Sequence, residues 1–150
     1  MVSAERVLKF LARHKRIGID TSILIYVVED HPVYAAPLQP VFEWLERRRG
    51  HAVTSVVTML EILVQPYRTA DTDRVNQLYA LLSTYPGLEW VSADLAIADR
   101  AVRLRAEHNL RTPDAIQAAT AIGRGASGFL TNAAAFRRVT ALDVLTLGAE

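Results

Sequence analysis

The sequence predicts an α/β fold in three layers, with a five-stranded parallel sheet held between two sets of helices. Five short apolar runs alternate with longer helical stretches, the pattern of strands joined by helical crossovers. The strand runs are nearly uniformly apolar rather than alternating, as in a sheet covered on both faces. Right-handed crossovers then place helices on each side. With 150 residues, about half of them hydrophobic and 22% charged, the chain is long enough for one domain over residues 1–150 with a substantial core.

The elements follow in order. Residues 1–15 form an amphipathic extension, with Val7, Phe10 and Leu11 on one face of a short helix and basic residues on the other. "RIGID" (16–20) is the first strand, followed by a helix that begins at Thr21 or Ser22 and fades near Asp30-His31-Pro32. A helix over roughly 37–49 carries Val41, Phe42 and Leu45 at helical spacing and stops at Gly50. "HAVTS" (51–55) is the second strand, and an apolar helix runs from Val56 to Pro66, where proline is expected to end it. A helix over 71–83 leads to the third strand, "GLEWVS" (87–92). The next helix starts at Ser92 or Asp94 and reaches His108. "RTPDAIQAATAIGRG" is a further helix with Thr112 as its cap, closed by Gly123 and Gly125. "GFLT" is the fourth strand, residues 133–138 a helical turn, and "LDVLTL" the fifth strand.

Composition excludes several functions. There are no cysteines, so disulfides, zinc-thiolate sites and thiol nucleophiles are absent, as suits a reducing cytoplasm. No apolar run reaches membrane-spanning length, and the N-terminus mixes its charges through its apolar residues, unlike a secretory signal; an organelle transit peptide is the lesser reading. The formal net charge is +1, so a polyanion must meet a local patch or be drawn by metal ions. There is no dinucleotide fingerprint, phosphate-binding loop or serine nucleophile elbow.

Three acids stand in unusual surroundings. Asp20 lies between an apolar strand and an apolar helix; it suits a helix cap, but Thr21 and Ser22 can cap the same helix and leave its carboxylate free. Glu61 sits in "VVTMLEILV", with Val57 and Val64 near its side and Met59, Leu60 and Leu63 opposite, a costly place for a charge unless a partner meets it. The plainer alternatives are an exposed edge or a pair with Arg68. Asp114 follows Thr112 and Pro113 in the first turn of a helix, where the helix dipole already favours an acid. If the three converge at the C-terminal edge of the sheet, one must take a proton or a cation must neutralise them. Donors that are all oxygen favour Mg²⁺ or Mn²⁺, ions that activate water and stabilise a leaving oxygen in phosphoryl displacement.

With these residues in place, the sequence resembles the PIN-domain ribonucleases, and among them the VapC toxins of VapBC toxin–antitoxin pairs. The stretches that carry the resemblance are "IDTSILIY" (19–26), "VTSVVTMLEILV" (53–64), "LRTPDAIQAATAI" (110–122) and "FLTNAAAF" (129–136), and with the order of elements it spans about residues 16–147. It implies a PIN-like fold and Mg²⁺- or Mn²⁺-dependent cleavage of RNA. It places the family's three acids on Asp20, Glu61 and Asp114 as catalytic and metal-binding residues. Its small hydroxyl residue falls on Ser22 and its Thr-Asn pair on Thr131 and Asn132, as orienting or substrate-binding groups. A homodimer and a cognate antitoxin protein are the implied partners. The sequence departs from the family at Ala133 and Ala135, where many members carry a fourth acid; the nearest replacement is the amide oxygen of Asn132.

The expected function is thus a metal-dependent endoribonuclease of the cytoplasm, the toxin of a type II toxin–antitoxin pair. The alternative is a silenced or weakened PIN domain that binds RNA or protein. Among lesser candidates, His14, His31, His51 and His108 lack metal-ligand spacing and suit surface or turn positions. Arg111, Arg137 and Arg138 are candidates to flank the groove and touch phosphates. Trp44, Trp90 and Phe136 are most simply packing residues.

Overall fold

Strand β1 (Arg16–Ile19) lies at the centre of a parallel five-stranded sheet in the computed structural model, which describes residues 2–148. The other strands are β2 (His51–Ser55), β3 (Leu88–Val91), β4 (Gly128–Thr131) and β5 (Asp143–Thr146), in the spatial order β3-β2-β1-β4-β5. The chain therefore builds outward from β1 in one direction and then returns to build from it in the other. The reversal falls between β1 and β4, where Ile17 pairs with Gly128 and Ile19 with Leu130.

Helices α1 (Ala4–Ala12), α2 (Thr21–Val28), α3 (Ala35–Glu46), α4 (Val57–Arg68) and α5 (Thr72–Ser83) supply one core. Helices α6 (Leu95–His108) and α7 (Thr112–Gly123), with a 3-10 turn at Ala134–Arg138, supply the other. Successive side chains of a strand point to opposite faces, so Ile17 and Ile19 enter the first core while Gly18 faces the second. A Cβ on Gly18 would lie 2.5 Å from the Phe129 ring and 2.6 Å from the Ala121 methyl. Small residues on both sides (Gly18 on β1, Ala115, Ala118 and Ala121 on α7) let this helix lie close to the sheet.

The expected three-layer α/β/α fold with five parallel strands is observed, with boundaries that shift for physical reasons. Pro66 does not stop α4, which continues through Tyr67 to Arg68. One missing N–H removes one rung, and the Thr69 N–H closes the end on the Gln65 carbonyl at 3.0 Å. Asp20 itself caps α2, accepting from the Ser22 N–H at 3.1 Å, so neither Thr21 nor Ser22 takes that role. At α7 the cap position is Arg111 rather than Thr112, because the Arg111 carbonyl accepts the first helical bond, from Ala115.

The expected extension over 1–15 is packed rather than free where it is described; Met1, Glu150 and Ala149 lie outside the described residues. Val7, Phe10 and Leu11 are buried, and α1 packs on α3. His14 is not a surface residue: its ring is enclosed beside Phe10, with Nδ1 2.7 Å from Ser127 Oγ and Nε2 2.6 Å from Asp143 Oδ2. Arg13 joins the same carboxylate at 2.9 Å, so the segment before β1 is tied to the starts of β4 and β5.

Candidate active site

A parallel sheet whose strand order reverses leaves a crevice beyond the C-terminal ends of the strands at the reversal. Here that crevice lies past β1 and β4, so Asp20 and Asn132 reach it directly from the ends of these strands. The start of α7 brings Arg111, Asp114 and Gln117, and α4 brings Glu61. These side chains, with Ser22 and Tyr26, line a cleft of about 210 Å³. A larger groove of about 540 Å³ lies on α4 and α5, but it is lined by apolar and tyrosine side chains with Arg68 and contains none of the three acids.

Asp20 is the most constrained of the acids. Its Oδ1 accepts the Ser22 hydroxyl at 2.5 Å and its Oδ2 accepts the hydroxyl of fully buried Thr131. Burial pushes its carboxyl above the usual range, and the nearby charge of Asp114 adds to that; the hydroxyls of Ser22 and Thr131 work against it. Thr131 is itself fixed by the Ala133 N–H, which donates to its Oγ1 at 3.0 Å.

Glu61 occupies the cleft for a different reason from the one its apolar neighbours suggest. It is exposed, as are Leu60 and Val64 on either side, so its charge is not desolvated and needs no buried partner. Its Oε1 accepts the Thr21 hydroxyl at 2.7 Å. Asp114 is almost covered and takes a two-pronged bond from Arg111, whose Nε and Nη2 donate to its two oxygens at 3.1 and 3.3 Å. The hydrogen bond and the charge of Asp114 hold the Arg111 guanidinium more firmly protonated, with a smaller contribution from Glu61.

Asn132, expected as an orienting group and the nearest replacement oxygen, has both ends of its amide engaged in this structure. Its Oδ1 accepts the Gly148 N–H at 2.9 Å and its Nδ2 donates to the Tyr26 hydroxyl at 2.9 Å, so both ends of the amide are engaged away from the carboxylates. Arg137 and Arg138 are also engaged elsewhere. Arg138 donates to the His108 and Asn109 carbonyls that end α6, and Arg137 to Thr146. Phe136 is fully buried and stacked on Phe129, Trp44 is buried, and Trp90 donates to the Leu82 carbonyl, so all three serve packing.

A polar network not apparent from the sequence lies beneath the cleft. Gln117 Nε2 donates to Thr58 Oγ1 at 2.6 Å, Thr58 shares a bond with Thr54 at 2.7 Å, and Gln117 Oε1 accepts the Ser55 N–H at 3.1 Å. The available signal was a lone glutamine three residues after Asp114 in a helix of small apolar residues.

Asp20, Glu61 and Asp114 offer only oxygen donors, the set that suits a hard divalent cation, and the buried Asp20 beside Asp114 is a charge that a cation would relieve. Among the described residues, no three His, Cys, Asp or Glu side chains already stand gathered as a metal site. Arg111 meets part of the negative charge instead.

The family model described as "PIN domain" matches residues 17–142. No curated protein matches the chain by sequence. Solved structures similar to it include a toxin–antitoxin complex from Klebsiella pneumoniae, at 24% identity over 87% of this chain and 96% of that one with a TM-score of 0.63. Another is VapBC2 from Rickettsia felis bound to a DNA fragment from its promoter, at 17% identity over 87% and 98% with a TM-score of 0.67. A third is VapBC-5 from Mycobacterium tuberculosis, at 24% identity over 90% and 99% with a TM-score of 0.53. At these identities the structural likeness concerns the fold, and it agrees with the sheet order and the crevice derived above. The chain belongs to the PIN domain family.

Proposed function

We propose that this protein is a divalent-cation-dependent endoribonuclease and the toxin of a toxin–antitoxin pair. The observation that carries this reading is the convergence of Asp20, Glu61 and Asp114 on one cleft at the sheet's reversal point, in a chain of the PIN family. These three residues would hold the cation. A bound Mg²⁺ or Mn²⁺ there supplies Lewis acidity toward a phosphate and a low pKa for its water. The chain's own contribution is orientation: Ser22 and Thr131 fix the rotamer of Asp20, and Thr21 fixes Glu61. RNA is the proposed substrate, since a nearly neutral chain with an acidic cleft meets a polyanion through the cation.

The partner proposal follows from the relatives, which are complexes of a toxin with its antitoxin. A homodimer and a cytoplasmic setting belong to the same proposal. No helix among the described residues is long and apolar enough to cross a membrane.

A second reading, a weakened domain that binds without cutting, is favoured by Ala133, which lines the cleft where the resemblance to the PIN family implies a fourth acid. The deciding experiment compares cleavage of single-stranded and structured RNA by wild type and Asp20→Asn with Mn²⁺ and with EDTA. Cutting by wild type alone, abolished by EDTA, supports the nuclease. Equal activity in both proteins, or RNA binding without turnover in wild type, supports the second reading.

A further inference from the structure

Among the described residues, the one cation lining the cleft is attached to a carboxylate proposed to hold metal. Arg111 spans both oxygens of Asp114, and its side chain is 77% exposed. It contributes no capping bond to α7 although it stands at the cap position. Among the described residues its side chain has no hydrogen-bond partner other than Asp114, and it also faces Glu61 across the cleft.

Resting on the nuclease reading above, we propose that Arg111 is an internal counter-ion of the site, displaced from Asp114 by the divalent cation and then available to the RNA phosphate entering beside it. The physical case is one of competing charges. An exposed ion pair of this kind is weak, and a divalent ion brings twice the charge to the same carboxylate. The released guanidinium stays tethered at the start of α7, at the lip of the same cleft, and its planar fork matches two phosphate oxygens as well as it matched two carboxylate oxygens. Cation and substrate then favour each other's binding, because each draws Arg111 away from the other's competitor. The arrangement also explains how an acidic cleft avoids unrelieved repulsion when no cation is bound.

The test is calorimetric titration of Mn²⁺ into the full chain, as wild type, Arg111→Gln and Arg111→Lys. Binding of a short single-stranded oligodeoxynucleotide is then measured at saturating Mn²⁺. Removing the competitor in R111Q should tighten Mn²⁺ binding by about two- to fivefold, the size expected for one exposed charge pair. The same variant should weaken oligonucleotide binding by a similar factor. R111K keeps the charge and should bind Mn²⁺ within about twofold of wild type. Unchanged or weaker Mn²⁺ binding by R111Q overturns the inference and leaves the nuclease reading standing. Tightening by R111K as large as that by R111Q also overturns it, since charge would not be the cause. No Mn²⁺ binding by either wild type or R111Q overturns both readings.

Discussion

Asp20 carries two roles on one side chain, helix cap and cleft acid, and the folded chain resolves the conflict by surrounding it with donors. Its carboxyl is raised above the ordinary value of 3.8 by burial and by Asp114. A folded-state pKa above the unfolded one means that the folded chain holds the proton more tightly. The stabilising effect is full below the unfolded pKa and is lost as pH rises through the folded one. At neutral pH without metal, ionised Asp20 is therefore a liability. Asp20→Asn should raise the melting midpoint in EDTA by a few degrees, taking roughly 3 °C per kcal/mol for a chain of this size. The gain should shrink toward zero as the pH of the melt is lowered below 4, and a gain that grows in acid would contradict the assignment. Ala133 is the other informative residue. It lines the cleft, whereas Ala135 packs toward the second core without reaching it. Adding one carboxylate to an oxygen site raises its charge count and hence its affinity. Ala133→Asp should tighten Mn²⁺ binding by about tenfold and Ala135→Asp should not, as read by calorimetry.

At the scale of elements, the cleft depends on contacts between β2, α4 and α7 that never appear as a motif. Gln117 on α7 joins Thr58 on α4 to the Ser55 backbone at the end of β2, so three elements that supply or support the acids are held in one register. Truncating it leaves the buried Ser55 N–H without its acceptor, at about 1–3 kcal/mol, while the Thr58 hydroxyl keeps its bond to Thr54. Gln117→Ala should lower the urea midpoint accordingly, with the unfolding slope unchanged. The helices themselves were largely legible. Apolar spacing predicts α1 and α3, a helix is expected over 71–83 where α5 lies, and of the two starts offered for α6, Ser92 and Asp94, Asp94 is the cap. Pro66 misled because a single proline removes a bond without forbidding the turn that follows. Glu61 was assigned to the site on a mistaken ground. Its apolar neighbours Leu60 and Val64 face outward, and a helical wheel gives relative angles but not which side meets the core.

Across the whole molecule, the sheet order concentrates the chemistry at one edge and the N-terminal segment closes the other. Arg13 and His14 meet at the Asp143 carboxylate and His14 also bonds the Ser127 hydroxyl, which ties the residues before β1 to β4 and β5. Partial burial raises the carboxyl of Asp143, but its bonds from His14 and Arg13 outweigh that and hold it below the ordinary value. A lowered folded-state pKa stabilises above the unfolded value, and the effect is lost as pH falls through the folded one. Because Asp143 is 42% exposed, solvent screening limits the effect to less than about 1 kcal/mol. Asp143→Asn should therefore lower stability slightly at neutral pH, and the difference should vanish in acid, as a pH series of denaturant curves would record. The sequence by itself determined the fold class, the five strands and the place of Asp20 at the end of β1, because strand runs, helix spacing and a strand-end carboxylate are local patterns. Only the tertiary structure decided that Asn132 turns to Gly148 and Tyr26, that Arg111 occupies Asp114, and that His14 is buried. Those outcomes depend on which groups come together across the chain: Tyr26 lies 106 residues from Asn132, and Ser127 and Asp143 lie 113 and 129 residues from His14.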